Sequence, residues 1–282
     1  VSVYSVCDKY NASKNCYFSN EGKLEVSNNK NVLYFVIDTC SGNVVEKALS
    51  ESPDIFDDLD GFIYYPNASS TYSRTYPSIT YMLSGEKCYF DIPASEYVNN
   101  AFEKSKFIPT MKDLKTDVRL YTETAYIGES VKNKIDNLSY SAADVNNINF
   151  LGFVKKSVKI SLFRGAPYII KERFKYTAEE VNKEITKSLA DEALLFDDLE
   201  FYDEIKNDRV KVNKNYNAAF RFYHMFGTHP GATVNENVEY ESGVAPSDTF
   251  KGNIKILKEY FKQLKDLGVY DKSTIIITAD HG

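Results

Sequence analysis

Four residues of this 282-residue chain could together hold one divalent cation, and one of the four could then act as a nucleophile: Asp38, Thr75, Asp280 and His281. Carboxylate oxygens and an imidazole nitrogen are usual protein donors to Zn²⁺ or Mn²⁺. A cation held there lowers the pKa of a nearby hydroxyl and polarises an anionic substrate. A bare threonine hydroxyl does not ionise near neutral pH, so Thr75 needs the metal or a general base. Each residue also has an ordinary reading. Asp38 alone is a strand-end turn or a cap. Asp280 and His281 before Gly282 are turn residues. Thr75 is an N-cap worth about 1 kcal/mol. The metal reading rests on all four standing at the ends of regular elements.

The chain has three histidines, His224, His229 and His281. His224 lies inside an apolar strand pattern and reads as a satisfied core histidine. His229 lies beyond that strand, in the turn Gly227-Thr228-His229-Pro230-Gly231. A side chain there projects into a cleft, which favours a substrate-binding or acid role.

The elements that must position these groups alternate between strand and helix. Asn31 to Asp38 is a continuous apolar run ending in a carboxylate, the pattern of a parallel strand buried on both faces. A helix is expected over 43–60 and a second strand over Gly61–Tyr65. Thr75 to Gly85 reads as a short helix: Pro77 suits its first turn, Ile79, Met82 and Leu83 form the stripe, and Gly85 ends it. Thr75 therefore sits at a helix N-terminus, where unpaired N–H groups attract anions. Helices are expected over 93–104 and 107–115, a strand over 117–122, and several helical pieces over 139–213. A strand at Ala218 to His224 follows. A long helix capped by Ser247 carries Ile254, Leu257, Phe261, Leu264 and Leu267 on its apolar face and closes at Gly268. A last strand, Thr274 to Thr278, delivers Asp280 and His281. The expectation is an α/β fold with a mostly parallel central sheet flanked by helices. The carboxyl ends of such strands share one edge, where ligands bind.

Composition narrows the function. A net charge of −6 and a sequence pI near 5.3 argue against nucleic acid as a partner. No run has the length of a membrane span. Cys7, Cys16, Cys40 and Cys88 do not have the spacing of a zinc site or a redox pair. Residues 1–30 read as a polar N-terminal arm or linker, and 31–282 as one catalytic domain. The chain starts without Met and stops just after a strand, so it is expected to be a fragment, incomplete at its C-terminus.

The motifs as a set resemble the sulfatase-like branch of the alkaline phosphatase superfamily, from about residue 31 onward. The sulfatase frame C-x-P-S-R, followed by a short helix and Thr-Gly or Ser-Gly, appears here as Thr75-Tyr76-Pro77-Ser78-Ile79 and then Ser84-Gly85. The Ser/Thr-Asp-His-Gly metal motif appears as Ala279-Asp280-His281-Gly282, and Asp38 matches the metal carboxylate after the first strand. Threonine cannot be converted to formylglycine, which sets this chain apart from true sulfatases. A threonine nucleophile looks like the lipoteichoic acid synthases and the phosphoethanolamine transferases of the same superfamily.

The resemblance implies an alkaline phosphatase-like fold and one Mn²⁺ or Zn²⁺ on Asp38, Thr75, Asp280 and His281. Thr75 would be the catalytic nucleophile, and His229, in the family's Gly-x-His turn, the substrate phosphate contact. It implies transfer of a phosphoryl-linked group, of phosphoethanolamine or glycerophosphate type, from a phospholipid-like donor to a cell-envelope acceptor. It further implies the extracytoplasmic face of a bacterial membrane, reached through an N-terminal anchor outside this sequence. The family's further substrate histidine, beyond the Asp-His-Gly motif, also lies outside it. Hydrolysis of a phosphodiester or sulfuric ester is the alternative with the same site, and a non-catalytic remnant the alternative without it.

Overall fold

The computed structural model describes residues 15–141, 150–165, 167–174 and 196–282. In chain order the strands are β1 (Asn15–Phe18), β2 (Glu25–Ser27), β3 (Lys30–Ile37), β4 (Thr116–Tyr121), β5 (Leu138–Ser141), β6 (Lys211–Asn213), β7 (Ala218–Met225) and β8 (Ser273–Thr278). The helices are α1 (Gly42–Glu51), α2 (Thr75–Ser84), α3 (Ala94–Lys104), α4 (Phe107–Asp113), α5 (Glu129–Lys132), α6 (Phe150–Gly165), α7 (Tyr168–Lys171), α8 (Asp198–Asn207) and α9 (Pro246–Asp266). The chain divides into two compact units. One comprises Phe18–Leu138 with Leu195–Gly282, the other Val1–Tyr17 with Ser139–Leu194. The described part of the second holds the paired β1 and β5, apart from their terminal residues Phe18 and Leu138, together with α6 and α7. Among the described residues no helix is long and apolar enough to cross a membrane.

The larger unit is built on a four-stranded sheet in the order β4-β7-β3-β8, with every pair parallel. β2 and β6 form a separate parallel pair. The apolar run of β3 follows from its central place. Its side chains alternate, and both faces meet a core. Leu33, Phe35 and Ile37 join Tyr223 and Met225 of β7 under α8 and α9. Val36 joins Val118, Leu120, Phe220 and Phe222 under α2 and α3. The Phe35 and Tyr223 rings stack 4.7 Å apart across the β3–β7 pair. Each such side chain contributes about 1.5–3 kcal/mol by leaving water. The architecture is thus the expected one: an α/β layer structure with a mostly parallel central sheet flanked by helices.

Helix boundaries follow local chemistry. α2 buries Ile79 and Leu83. It stops at Gly85, whose φ of 79° is the left-handed C-cap and whose N–H donates to Tyr81 O at 2.7 Å. α9 begins at Pro246, which takes the first helical position, so Ser247 is buried in the first turn and is not the cap. α1 ends at Glu51, short of the expected 60, because Pro53 follows and disfavours helical backbone at Ser52. Residues 61–65 do not form the expected strand. Ile63 and Tyr65 stand 72% and 69% exposed, and no strand among the described residues pairs with the segment.

Within the stretch 1–30, residues 15–18 and 25–27 are strands, and Phe18, Leu24 and Val26 are buried. Of the helical pieces expected over 139–213, α6, α7 and α8 are present beside the strands β5 and β6. The rest of that expectation, at 142–149 and 175–195, lies outside the described residues, as does Cys7.

Candidate metal centre

Parallel strands end on one edge, and two loops there carry the acidic and imidazole groups. Asp38 directly follows β3. Asp280 and His281 follow β8 by two and three residues. The side-chain donor atoms of Asp38, Asp280 and His281 lie within 4.8 Å of one another. Thr75, half-buried as the first residue of α2, brings Oγ1 to 3.4 Å from His281 Nε2. The four residues singled out from sequence therefore meet at one place.

The two carboxylates are held differently. Asp280 is fully buried. Its Oδ1 accepts the backbone N–H groups of Thr39 at 3.0 Å and His281 at 2.8 Å. Its Oδ2 has no hydrogen-bond partner among the described residues and lies 3.5 Å from His281 Nε2. Asp38 Oδ1 accepts the Thr39 hydroxyl at 2.6 Å and lies 3.9 Å from His281 Nε2. Burial disfavours the charged form of Asp38. The adjacent His224 imidazole and the hydrogen bond from Thr39, with the charges of His224 and His229, outweigh that and hold its carboxyl below the ordinary aspartate value.

A divalent cation fits these groups. A buried carboxylate oxygen without a donor is costly, and native proteins supply such an atom with a partner. Asp280 Oδ2 is such an atom, and it lies 3.5 Å from His281 Nε2. Three oxygens and one imidazole nitrogen form a set suited to Mn²⁺ or Zn²⁺. Cys40 is near the same edge, but burial pushes its thiol up to about 12, with Thr228 opposing and Asp280 reinforcing the shift.

Backbone strain supports the site. Thr39 adopts φ 56°, a left-handed conformation rare for a β-branched residue. That turn aims both its N–H at Asp280 and its hydroxyl at Asp38. Thr228 ties the β7 loop to the β3 loop: its N–H donates to Asp38 O at 3.0 Å and its hydroxyl to Thr39 O at 2.8 Å. Gly227 makes the approach possible. It has φ 60°, and a Cβ there would lie 2.5 Å from Asp38 N. Asp198, buried at the start of α8, accepts the Phe226 and Gly227 N–H groups at 3.1 and 3.0 Å and an Asn253 amide hydrogen at 2.8 Å. His229 is exposed in this loop. Its ring packs 5.1 Å from Phe226, and its Nδ1 meets its neighbour's Pro230 O at 3.1 Å.

His224 is where the sequence reading missed a site residue. It is the seventh residue of β7, in register with Val36. Its Nε2 lies 3.3 Å from Asp38 Oδ2, and its Nδ1 lies 3.1 Å from Thr122 Oγ1. The Nε2 contact is within ion-pair reach but out of line for a hydrogen bond, so this buried nitrogen has no aligned partner. In sequence His224 continues the face of Phe220 and Phe222, which is why it reads as core. The distinguishing signal is its place one residue before the carboxyl end of the strand.

Comparison with protein-family models, curated proteins and solved structures returned no match.

Proposed function

We propose that this chain is a sulfatase-like member of the alkaline phosphatase superfamily that transfers a phosphoryl-linked group through Thr75. The observation that carries the reading is the convergence of Thr75 Oγ1 on His281, beside the Asp38 and Asp280 carboxylates. Asp38, Thr75, Asp280 and His281 would hold one Mn²⁺ or Zn²⁺. That ion supplies positive charge that favours ionisation of the Thr75 hydroxyl and offsets charge on the phosphoryl oxygens.

The chain's own groups account for the rest. The N-terminus of α2 directs unpaired N–H groups toward an anion seated at Thr75. Its field favours the alkoxide over the alcohol. Thr75 Oγ1 forms a bond to phosphorus while the bond from phosphorus to the donor's alcohol oxygen breaks. The proton lost by the Thr75 hydroxyl passes to water, and the departing alcohol takes one up from water. An acceptor hydroxyl then attacks the phospho-threonine, loses its proton, and restores the Thr75 hydroxyl. The Nδ1 of exposed His229 is engaged with Pro230 O, so Nε2 is the atom that would meet a phosphate oxygen of the substrate. A phospholipid-like donor, a cell-envelope acceptor and a position outside the cytoplasmic membrane belong to the same reading.

The test incubates the full chain, loaded with Mn²⁺ or Zn²⁺, with phosphatidylglycerol or phosphatidylethanolamine vesicles, with and without a glycerol acceptor. The expected results are diacylglycerol release and an intact-mass increase confined to Thr75. Release without acceptor dependence assigns hydrolysis. No release with either lipid and no adduct overturns the transferase reading.

A further inference from the structure

We propose that His224 is a positioning residue for this site, holding the Asp38 carboxylate in the orientation in which it can bind the cation. The inference rests on the metal reading above and goes beyond it, because His224 is outside the four proposed ligands.

Three adjacent strands carry the groups concerned. β4, β7 and β3 lie side by side, and close to their carboxyl ends stand Thr122, His224 and Asp38. Thr122 Oγ1 lies 3.1 Å from His224 Nδ1, and His224 Nε2 lies 3.3 Å from Asp38 Oδ2. A hydroxyl, an imidazole and a carboxylate thus form a row across the sheet edge. When the Thr122 hydroxyl donates to Nδ1, the ring proton resides on Nε2, within ion-pair reach of Asp38 Oδ2 though not aligned on it. Tyr126 packs edge-on against the imidazole at 6.1 Å, and the His224 side chain is only 10% exposed. The ring therefore has little freedom to turn away.

The consequence falls on Asp38. The terminal torsion of an aspartate is broad, so a carboxylate at a strand end does not orient itself. His224 engages Oδ2, while Thr39 donates to Oδ1. Oδ1 is the oxygen on the His281 side. Partners of this kind, one step removed from a metal, set ligand direction, and their loss costs about 10–100-fold in metal affinity.

The test measures Mn²⁺ affinity of the full chain at one fixed pH, by electron paramagnetic resonance of free Mn²⁺. The variants are His224→Ala, His224→Gln and Thr122→Val. His224→Ala is expected to weaken binding about 10–100-fold with an unchanged circular dichroism spectrum. Thr122→Val should weaken it less, because the ring stays but loses its anchor. His224→Gln should recover part of the loss, since its amide carries a donor to similar reach.

An affinity of His224→Ala within about twofold of wild type overturns the proposal. So does a spin-echo spectrum of the wild-type Mn²⁺ form with two coupled imidazoles, because His224 would then be a ligand itself. If wild type binds neither Mn²⁺ nor Zn²⁺, the metal reading fails separately. A double-mutant cycle of Asp38→Asn and His224→Ala in metal-free urea unfolding then decides the pair. Coupled effects on the unfolding constant keep the positioning of Asp38 by His224, and simply multiplicative effects overturn it.

Discussion

Thr75 Oγ1 and His281 Nε2 lie 3.4 Å apart although 206 positions separate them in the chain. The two groups arrive from different kinds of element. His281 follows the edge strand β8, whereas Thr75 opens α2, which packs on one face of the sheet through Ile79 and Leu83. The contact therefore reports the docking of α2 as well as the closing of the sheet, and changes at either end have separable effects.

Thr75→Ala removes the only atom proposed to bond phosphorus. Turnover is expected to fall by roughly 10³-fold or more. Metal affinity should fall far less, since three donors remain. Thr75→Ser keeps the hydroxyl and should retain measurable turnover. Steady-state rates beside Mn²⁺ titrations check this, and a Thr75→Ala protein with wild-type turnover would rule out the nucleophile.

Asp280→Asn separates folding from metal binding. The amide oxygen can still accept the Thr39 and His281 N–H groups, while the unpartnered anionic oxygen is gone. Thermal stability without metal should hold or rise. A rise in Tm with Mn²⁺ is expected for wild type and should be absent in Asp280→Asn, because such a rise follows the affinity of the folded state. Asp280→Ala, by contrast, strands two buried donors and should lose about 1–3 kcal/mol. Melting curves of the three proteins, with and without Mn²⁺, decide.

Gly227→Ala tests how closely the two loops approach. The added Cβ would lie 2.5 Å from Asp38 N, 2.8 Å from Ile37 Cγ2 and 2.9 Å from Asp38 O, at a φ of 60°. The left-handed backbone alone costs about 1–2 kcal/mol for a residue with a Cβ. The collision adds to it, so a loss of about 3 kcal/mol or more is expected in urea unfolding. A loss below about 1 kcal/mol would mean that the loop relaxes freely.

Asp198 gives stability a pH signature. Burial pushes its carboxyl up from 3.8 to about 6, against the opposing hydrogen bonds of Gly227, Asn253 and Phe226. A carboxyl with a raised value in the folded state contributes stability that is fully present below the unfolded value. That contribution is lost as pH rises through the folded one. The window is pH 3.8 to about 6, and the contribution is on the order of 3 kcal/mol. Asp198→Asn should remove this part of the slope and destabilise at all pH values, since one amide oxygen cannot serve three donors. Urea midpoints from pH 4 to 7 for both proteins measure it, and parallel profiles would contradict it.

Residue types and order settled a good part of this protein before any tertiary contact. The run from Asn31 to Ile37 has to be a strand with two buried faces, because only a central strand places every side chain against a core. Pro77 sits in the first turn of α2 and Gly85 ends it, both through local backbone preference. Asp38, Thr75, Asp280 and His281 stood out because chemistry-bearing side chains at element ends are visible in one dimension. Tertiary structure decided the rest. Gly61–Tyr65 has strand-like residues, but a strand exists only where another offers its hydrogen bonds. His224 has the spacing of a core residue, and only the pairing of β7 with β3 sets it against Asp38. Periodicity reports which face a side chain takes. What it meets there depends on which strand lies alongside and where that strand ends.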